Sequence, residues 1–182
     1  ALFDMPNHNL VYSVSMTTRK MRPGEKDGVD YYFVSKDEFE QRIHEGKFLE
    51  YAEFVGNYYG TPLDKINENL ERGNEVVLEI EVDGALQVKE KVPNCVMIFL
   101  VPPGKEALYE RLRRRGTESE EVIEERVQKA NREFKKAKYY DYIVVNDEVH
   151  NAADRIMAII RAEHAKTERS IHKYMELIGE EE

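Results

Sequence analysis

The segment TTRKMRPGEKDGVDYYF, residues 17–33, concentrates side chains that can bind a phosphate group. Arg19 and Arg22 lie three residues apart, Glu25 follows three residues later, and interspersed glycines allow the loop to turn these groups inward. An arginine guanidinium keeps its charge and pairs bidentately with phosphate, and the Tyr31 hydroxyl adds another donor. The segment therefore predicts a phosphate-monoester pocket, and the alternative is a solvated charged loop.

Predicted strands alternate with predicted helices along the chain, which indicates an α/β fold with helices on both faces of a parallel sheet. The predicted strands are VYSVSM (11–16), YYFV (31–34), FLEYAEFV (48–55), VVLEIEV (76–82), CVMIFLV (95–101) and YIVVN (142–146). The predicted helices are 35–46, capped by Ser35, then 61–73, 84–91, two charged helices up to about 139, and one long helix after YIVVN. GNYYG (56–60) predicts a turn, and the short alternating strands of 31–61 predict an inserted antiparallel subdomain.

Composition predicts a soluble globular domain, since the 182 residues are 41% hydrophobic and 35% charged. A net charge of −9 argues against a broad nucleic-acid-binding face, and no apolar segment approaches the roughly 18 residues of a membrane span. Cys95, as the one cysteine, cannot form an internal disulfide, which indicates a cytoplasmic protein, and it is predicted to be buried in its strand. The five histidines show no metal-ligand spacing, so no structural metal is expected.

In its motifs and their order the sequence resembles the guanylate kinase family, bacterial type. The matching positions in the opening segment are Thr17, Thr18, Arg19, Arg22, Glu25, Gly28, Tyr31 and Phe33, and the resemblance continues through FLEYAEFVGNYYGTP, LEIEVDGA, IFLVPP, RLRRRGTESEEVIEERV and YIVVND. It implies one P-loop-kinase-like domain over 1–182, with core segments 1–30, 62–110 and 127–182, a nucleoside-monophosphate-binding subdomain at about 31–61 and a helical lid at about 111–126. It also implies transfer of the ATP γ-phosphoryl group to GMP, giving ADP and GDP, with Mg²⁺, in purine nucleotide metabolism.

The same resemblance implies which residues bind GMP. Ser15, Arg19, Arg22, Tyr31 and Tyr59 would hold its phosphate, with Glu25 orienting the arginines, and Glu50 and Thr61 would recognise guanine. The chemistry agrees, because guanine presents N1–H and N2–H on one edge and a carboxylate accepts both, whereas adenine would leave the carboxylate unpaired.

Two further sets of residues receive roles from the resemblance. Glu79 and Glu81, predicted on one face of a strand, would lie near Mg²⁺ and the guanine amino group. Many relatives carry Asp there and glutamate is one methylene longer, so direct contact of Glu79 with the metal stays open beside contact through water. The alternative is two exposed carboxylates at the end of a strand. Arg111, Arg115 and Arg126 would close over the ATP phosphates and act with Arg22 in catalysis, and Asn146 would lie beside adenine.

One motif of the family is not found in the sequence: the P-loop GxxxxGK[ST], which cradles the ATP phosphates. The two Gly-Lys pairs, 46–47 and 104–105, are followed by Phe48 and Glu106. We expect the P-loop to precede Ala1, with ALFDMP as the end of the helix that follows it. We also expect that a polypeptide beginning at Ala1 binds GMP without transferring phosphate.

Two other functions stay open from the sequence. A non-catalytic guanylate-kinase-like module would bind a phosphorylated peptide, although Arg22, Glu25, Glu79 and the lid arginines favour an enzyme. A kinase for another nucleoside monophosphate is the second alternative, and Glu50 with Thr61 favours guanine. The expected partners are GMP and ATP, and binding to nucleic acid or to a membrane is not expected. The sequence leaves open whether the protein forms a homo-oligomer.

Overall fold

The chain folds as an α/β protein with parallel strand pairs and flanking helices, which confirms the predicted fold class. The computed structural model describes residues 1–54, 56–114 and 120–175. The chain divides into two compact units, Pro6–Met97 and Ala1–Met5 with Ile98–Glu182. Within the described ranges, no helix combines the length and hydrophobicity that crossing a bilayer requires.

The unit Pro6–Met97 contains two sheets and three helices among its described residues. Its elements are β1 (Leu10–Tyr12), β2 (Met16–Thr17), β3 (Tyr32–Phe33), α1 (Lys36–His44), β4 (Phe48–Phe54), β5 (Asn57–Pro62), α2 (Leu63–Glu71), β6 (Glu75–Val77) and α3 (Val82–Lys91). Strands β1 and β6 pair in parallel, while the second sheet has the order β3-β2-β5-β4. In that sheet β2 and β3 are parallel, and the pairs β2–β5 and β4–β5 are antiparallel.

Helix α1 packs one face of the four-stranded sheet and begins at the predicted cap. The Ser35 hydroxyl accepts a hydrogen bond from the Glu38 backbone N–H at 3.1 Å, which satisfies one of the unpaired donors of the first turn. Phe39 is fully buried and stacks between two aromatic rings, with centroids 4.3 Å from Phe48 and 5.3 Å from Tyr58. This core covers one face of the sheet.

Backbone pairing explains two of the predictions for this unit that are wrong. The predicted strand 11–16 is interrupted after Tyr12, because β1 pairs with β6 whereas β2 joins the other sheet. Residues 56–60 were predicted as a turn, yet strand β5 begins at Asn57, and Gly56, with a φ of 71°, is the described turn residue before it. Sequence alone could not show which strands would accept these backbone hydrogen bonds.

The second unit also contains a parallel strand pair with helices. Its elements are β7 (Ile98–Val101), α4 (Lys105–Arg114), α5 (Glu120–Phe134), β8 (Tyr142–Val145), α6 (Val149–His164) and α7 (Thr167–Ser170). Strand β7 is shorter than the predicted 95–101, and Cys95 is half-buried against a cluster in the first unit. The predicted single long helix after β8 is wrong, since α6 ends at His164 and α7 follows as a separate short helix.

Glu163 fixes the end of α6 through three side chains. It is 4% exposed and accepts hydrogen bonds from the Lys166 ammonium at 2.6 Å, the Arg169 guanidinium at 2.9 Å and the Tyr142 hydroxyl of β8. The Lys166 contact, followed by Tyr142 and Arg169, lowers the pKa of Glu163 from 4.5 to about 2. Because the lowered pKa favours the charged form in the folded protein, this stabilisation is complete above about pH 4.5 and is lost as the pH falls through about 2.

We expect Glu163→Gln to lower the free energy of unfolding by about 1–3 kcal/mol at pH 7, since it removes a charge from a buried hydrogen-bonded cluster. Urea unfolding measured between pH 7 and pH 3 should show this difference shrinking below about pH 4.5. Glu168→Gln, an exposed change on α7, serves as the control and should change stability by less than about 0.5 kcal/mol. A difference between wild type and Glu163→Gln that does not vary with pH would contradict the assignment.

Candidate nucleotide-binding site

Arg19 forms the centre of a charged cluster at the end of β2. Its Nη2 donates to Glu25 Oε1 at 2.7 Å and its Nη1 donates to Glu25 Oε2 at 3.1 Å, so the ion pair is bidentate. The pair is largely buried, with 15% of the Arg19 and 19% of the Glu25 side chain exposed. The Glu25 hydrogen bond raises the pKa of Arg19, and the Arg19 hydrogen bond lowers the pKa of Glu25. Both groups therefore stay charged, and the guanidinium is held in a defined orientation.

Aromatic rings from β5 and from the segment leading into β3 surround this guanidinium. Its Cζ lies 5.3 Å from the Tyr31 ring centroid and 5.7 Å from that of Phe33, distances that permit cation–π attraction. Tyr59 meets Tyr31 edge to face, with centroids 6.0 Å apart, and lies close enough to Arg19 to contribute to its raised pKa. A cation flanked by two tyrosines is a suitable binding site for a phosphate monoester.

The hydroxyl groups of two threonines hold this cluster in place, and the sequence analysis gave neither of them a role. The Thr17 hydroxyl, fully buried, donates to the Tyr58 carbonyl at 2.9 Å and accepts from the Arg19 backbone N–H at 3.1 Å. The Thr18 hydroxyl accepts from the Tyr58 backbone N–H at 2.9 Å. These bonds attach the arginine segment to β5, and two consecutive threonines before an arginine were the sequence signal for them.

Arg22 and Ser15 adjoin the cluster through their main chain. The Arg22 backbone N–H donates to Glu25 Oε2 at 2.7 Å, and its side chain is exposed. The Ser15 carbonyl accepts from the Tyr32 backbone N–H at 2.9 Å, next to Tyr31. The structure thus brings Arg19, Glu25, Tyr31 and Tyr59 into side-chain contact and places the Arg22 and Ser15 backbones beside them.

Glu50 and Thr61 form a buried polar pair on the neighbouring strands. The two residues are directly opposite in the β4–β5 register, and the Thr61 hydroxyl donates to Glu50 Oε1 at 2.6 Å. Glu50 is 5% exposed and Thr61 is fully buried. Burial raises the pKa of Glu50, while the Thr61 hydrogen bonds and the charge of Lys91 act in the opposite direction. A carboxylate oriented by a hydroxyl can accept two parallel N–H donors from a ligand.

The two clusters lie on one face of the four-stranded sheet. Tyr59 and Thr61 are two residues apart on β5, so their side chains point to the same face and are separated by about 7 Å along the strand. Tyr58, which precedes Tyr59 on β5, points to the opposite face and stacks on Phe39. An anion site and a hydrogen-bonding site at this separation suit a small ligand with a phosphate at one end and a heterocycle at the other.

Glu79 and Glu81 do not share a strand face, so that prediction is wrong. Backbone pairing with β1 ends at Val77, and both glutamates follow the strand as exposed residues, with Glu81 as the N-cap residue of α3. Burial raises the pKa of Tyr12, and the nearby Glu79 and Tyr31 raise it further. Among the described residues, no group of three or more His, Cys, Asp or Glu side chains could hold a metal ion by itself.

The predicted ATP-side residues belong to the other unit. Arg111 on α4 donates from Nη2 to the Asn146 carbonyl at 2.6 Å and to the Asp147 carbonyl at 3.2 Å. These carbonyls follow β8, so Arg111 and Asn146 are brought together at the carboxyl end of that strand. Arg126 is half-buried on α5, and Arg115 lies outside the described residues.

The class of protein follows from the fold: an α/β protein of the P-loop kinase type, in which a small mixed sheet carries an arginine–tyrosine cluster and a buried glutamate–threonine pair. The sequence profile of the guanylate kinase family matches residues 1–163. The chain therefore belongs to the guanylate kinase family.

Individual relatives agree with this assignment. Guanylate kinase of Onion yellows phytoplasma (strain OY-M) is 62% identical over 179 residues, which cover 98% of this chain and 84% of the relative. Guanylate kinase of Streptococcus agalactiae serotype III (strain NEM316) is 56% identical, with 98% and 86% covered. The crystal structure of guanylate kinase from Anaplasma phagocytophilum superposes with a TM-score of 0.76 at 38% identity, covering 92% of this chain and 84% of that one.

Proposed function

We propose that this protein transfers the γ-phosphoryl group of ATP to GMP, giving ADP and GDP, in purine nucleotide metabolism. The observation that carries the proposal is the buried Glu50–Thr61 pair, which shares a sheet face with the arginine–tyrosine cluster. The Glu50 carboxylate would accept the guanine N1–H and N2–H groups, and the Thr61 hydroxyl would lie beside O6. AMP offers no such pair of donors and would leave a buried carboxylate unpaired, which is a strong basis for rejection.

The GMP phosphate would bind at the arginine cluster. Arg19, already oriented by Glu25, would meet the phosphate together with the Tyr31 and Tyr59 hydroxyls and Ser15. The Arg22 side chain is exposed and can turn toward the oxygen that attacks the γ-phosphorus. These contacts hold the acceptor phosphate and neutralise part of its charge, which lowers its repulsion toward the incoming phosphate of ATP.

In the reaction, a phosphate oxygen of GMP forms a bond to the γ-phosphorus while the bond from that phosphorus to the β–γ bridging oxygen breaks, and ADP leaves. Catalysis of such a transfer is mainly positioning and stabilisation of charge. Arg111, Arg115 and Arg126 would supply positive charge to the phosphates of ATP, and Asn146 would lie beside the adenine.

Mg²⁺ fits this site as a metal carried chiefly by the ATP phosphates. It keeps several waters and needs one or two protein carboxylates, so a cluster of protein ligands is not required. Glu79, exposed and near Tyr12, would reach it through a bound water. When bound, the ion supplies charge neutralisation at the β- and γ-phosphates.

We extend the proposal to the organisation and location of the protein. The resemblance implies one domain, with core 1–30, 62–110 and 127–182, a GMP-binding subdomain at about 31–61 and a lid at about 111–126. Its relatives are bacterial guanylate kinases, which supports a cytoplasmic site of action.

A coupled assay of ADP formation tests the function with the protein expressed from its whole gene. We expect ADP to form with ATP and GMP, to form at a rate lower by about 10⁴-fold or more with AMP, and to cease when EDTA removes Mg²⁺. GMP binding without any ADP formation would instead identify a phosphate-binding module. Equal rates with GMP and AMP would contradict the role of Glu50 and Thr61.

A further inference from the structure

Helix α3 is fastened to strand β4 immediately around Glu50. Three of its residues, Gly84, Gln87 and Lys91, follow the spacing i, i+3, i+7 and therefore lie on one face of the helix. Each of them contacts the four-residue segment of β4 from Phe48 to Tyr51. The sequence motifs gave none of the three a role, although all three contact the β4 segment around Glu50.

Lys91 binds the backbone at an irregularity of β4. Phe48 is opposite Pro62 and Glu50 is opposite Thr61, so Leu49 is an extra residue that bulges from the ladder. The Lys91 ammonium donates to the Leu49 carbonyl at 2.7 Å and to the Phe48 carbonyl at 3.2 Å. The bulge changes the direction of the following side chain, and Lys91 holds the carbonyls at that point.

Gln87 binds the backbone on the other side of Glu50. Its Nε2 donates to the Tyr51 carbonyl at 3.1 Å, and its Oε1 accepts from the Tyr51 backbone N–H at 3.3 Å. One amide therefore satisfies both main-chain groups of the residue after Glu50. With Lys91 on the preceding carbonyls, the backbone on both sides of Glu50 is held by α3.

Gly84 leaves the space in which the Glu50 carboxylate lies. A Cβ at this position would be 2.5 Å from Glu50 Oε2, too close for nonbonded atoms, and 3.2 Å from its Cδ, a tight contact. Gly84 is buried in the first turn of α3, where backbone N–H groups lack intrahelical acceptors and the helix dipole favours a carboxylate. Glu50 Oε1 is held by Thr61, so Thr61 and Gly84 together determine the plane of the carboxylate.

We propose that Gly84 is a specificity-determining residue and that Gln87 and Lys91 are positioning residues, which together orient the Glu50 carboxylate toward the two N–H donors of guanine. This inference rests on the proposed function. The orientation matters most for the second donor, because a carboxylate turned out of the plane of the base can keep one hydrogen bond but not two. The 2-amino group is what distinguishes GMP from IMP, so the arrangement selects between these two nucleotides.

The test is calorimetric titration of wild type and Gly84→Ala with GMP and IMP. The added methyl displaces Oε2, and we expect GMP affinity to fall by about 10- to 100-fold, the loss of one hydrogen bond to a charged group. IMP has no 2-amino group to lose, so the preference for GMP over IMP should shrink by about 10-fold or more. A Gly84→Ala variant that keeps the wild-type preference would overturn the assignment of Gly84.

Gly104→Ala is the matched control, because a Cβ there meets nothing within 4 Å and its φ is not in the left-handed range. It should leave both affinities unchanged.

Thermal unfolding separates an effect on specificity from an effect on stability in Gly84→Ala. Alanine has a higher helix propensity than glycine, and the atom that must move, Glu50 Oε2, is at the end of a flexible side chain. We therefore expect the melting temperature to be equal to or above that of wild type while GMP binding weakens.

Gln87→Met provides a second, sterically neutral route to the same result. It removes both hydrogen bonds to Tyr51 with little change in volume, and the GMP preference should fall, by less than in Gly84→Ala. If Gly84→Ala does not fold, Gln87→Met tests the inference by itself. An unchanged preference for GMP over IMP in Gln87→Met then overturns the inference. Wild-type protein that binds GMP no better than IMP would contradict the proposed function itself, which separates the two failures.

Discussion

Arg19→Met is expected to weaken GMP binding by about 100-fold or more in calorimetric titration. The guanidinium would make two hydrogen bonds to the GMP phosphate, and each bond to a charged group contributes about 1.5–3 kcal/mol. The substitution also leaves the Glu25 carboxylate without its bidentate partner close to the incoming phosphate, where like charges repel. Methionine keeps much of the side-chain volume, so packing against Tyr31 and Phe33 is retained.

Lys20→Met is the control for this prediction. It removes the same charge from the neighbouring, exposed residue, whose side chain belongs to no described ion pair with the cluster. GMP affinity should change little at about 0.15 M salt, because exposed charges are screened over a Debye length of about 8 Å. Equal losses in both variants would show that only the net charge of the loop matters and that Arg19 makes no specific contact.

Glu50→Gln is expected to lower GMP affinity by about 100-fold and to reduce discrimination against other bases. The amide places an NH₂ group where guanine also presents donors, so at least one hydrogen bond is lost and a repulsive contact replaces it. Burial of the Glu50–Thr61 pair makes an unsatisfied donor costly. Glu53→Gln, an exposed change on the same strand, should leave GMP affinity at the wild-type value.

The pH dependence of GMP binding gives an independent test of Glu50. Burial raises the pKa of this carboxyl, so protonation begins at a higher pH than for an exposed glutamate. Protonated Glu50 presents a donor to guanine, and GMP affinity should therefore fall as the pH decreases through the raised pKa. Glu50→Gln has no carboxyl to titrate at this position. Because protonation of GMP itself affects binding to both proteins equally, it does not change the ratio of wild-type to variant affinity. A ratio that stays constant from neutral to acidic pH would contradict the assignment.

The sequence by itself determined the alternation of strands and helices, the concentration of arginine, glutamate and tyrosine side chains in residues 17–33 and the capped start of α1. Each depends on local chemistry: hydrophobic periodicity, the guanidinium group and a hydroxyl that accepts from a first-turn N–H. The motif order also indicated the guanylate kinase family, and the relatives confirm it.

Only the tertiary structure decided which residues orient the site. Thr17 and Thr18 bind Tyr58, 41 and 40 residues away, and Gln87 binds Tyr51, 36 residues away. Such contacts depend on strand register and on the bulge at Leu49, and neither leaves a periodic signal in the sequence. Gly84 is the clearest example of what sequence cannot predict. It leaves space for the carboxylate of Glu50, which lies 34 positions earlier in the chain, and a glycine has no side chain whose chemistry would indicate that role.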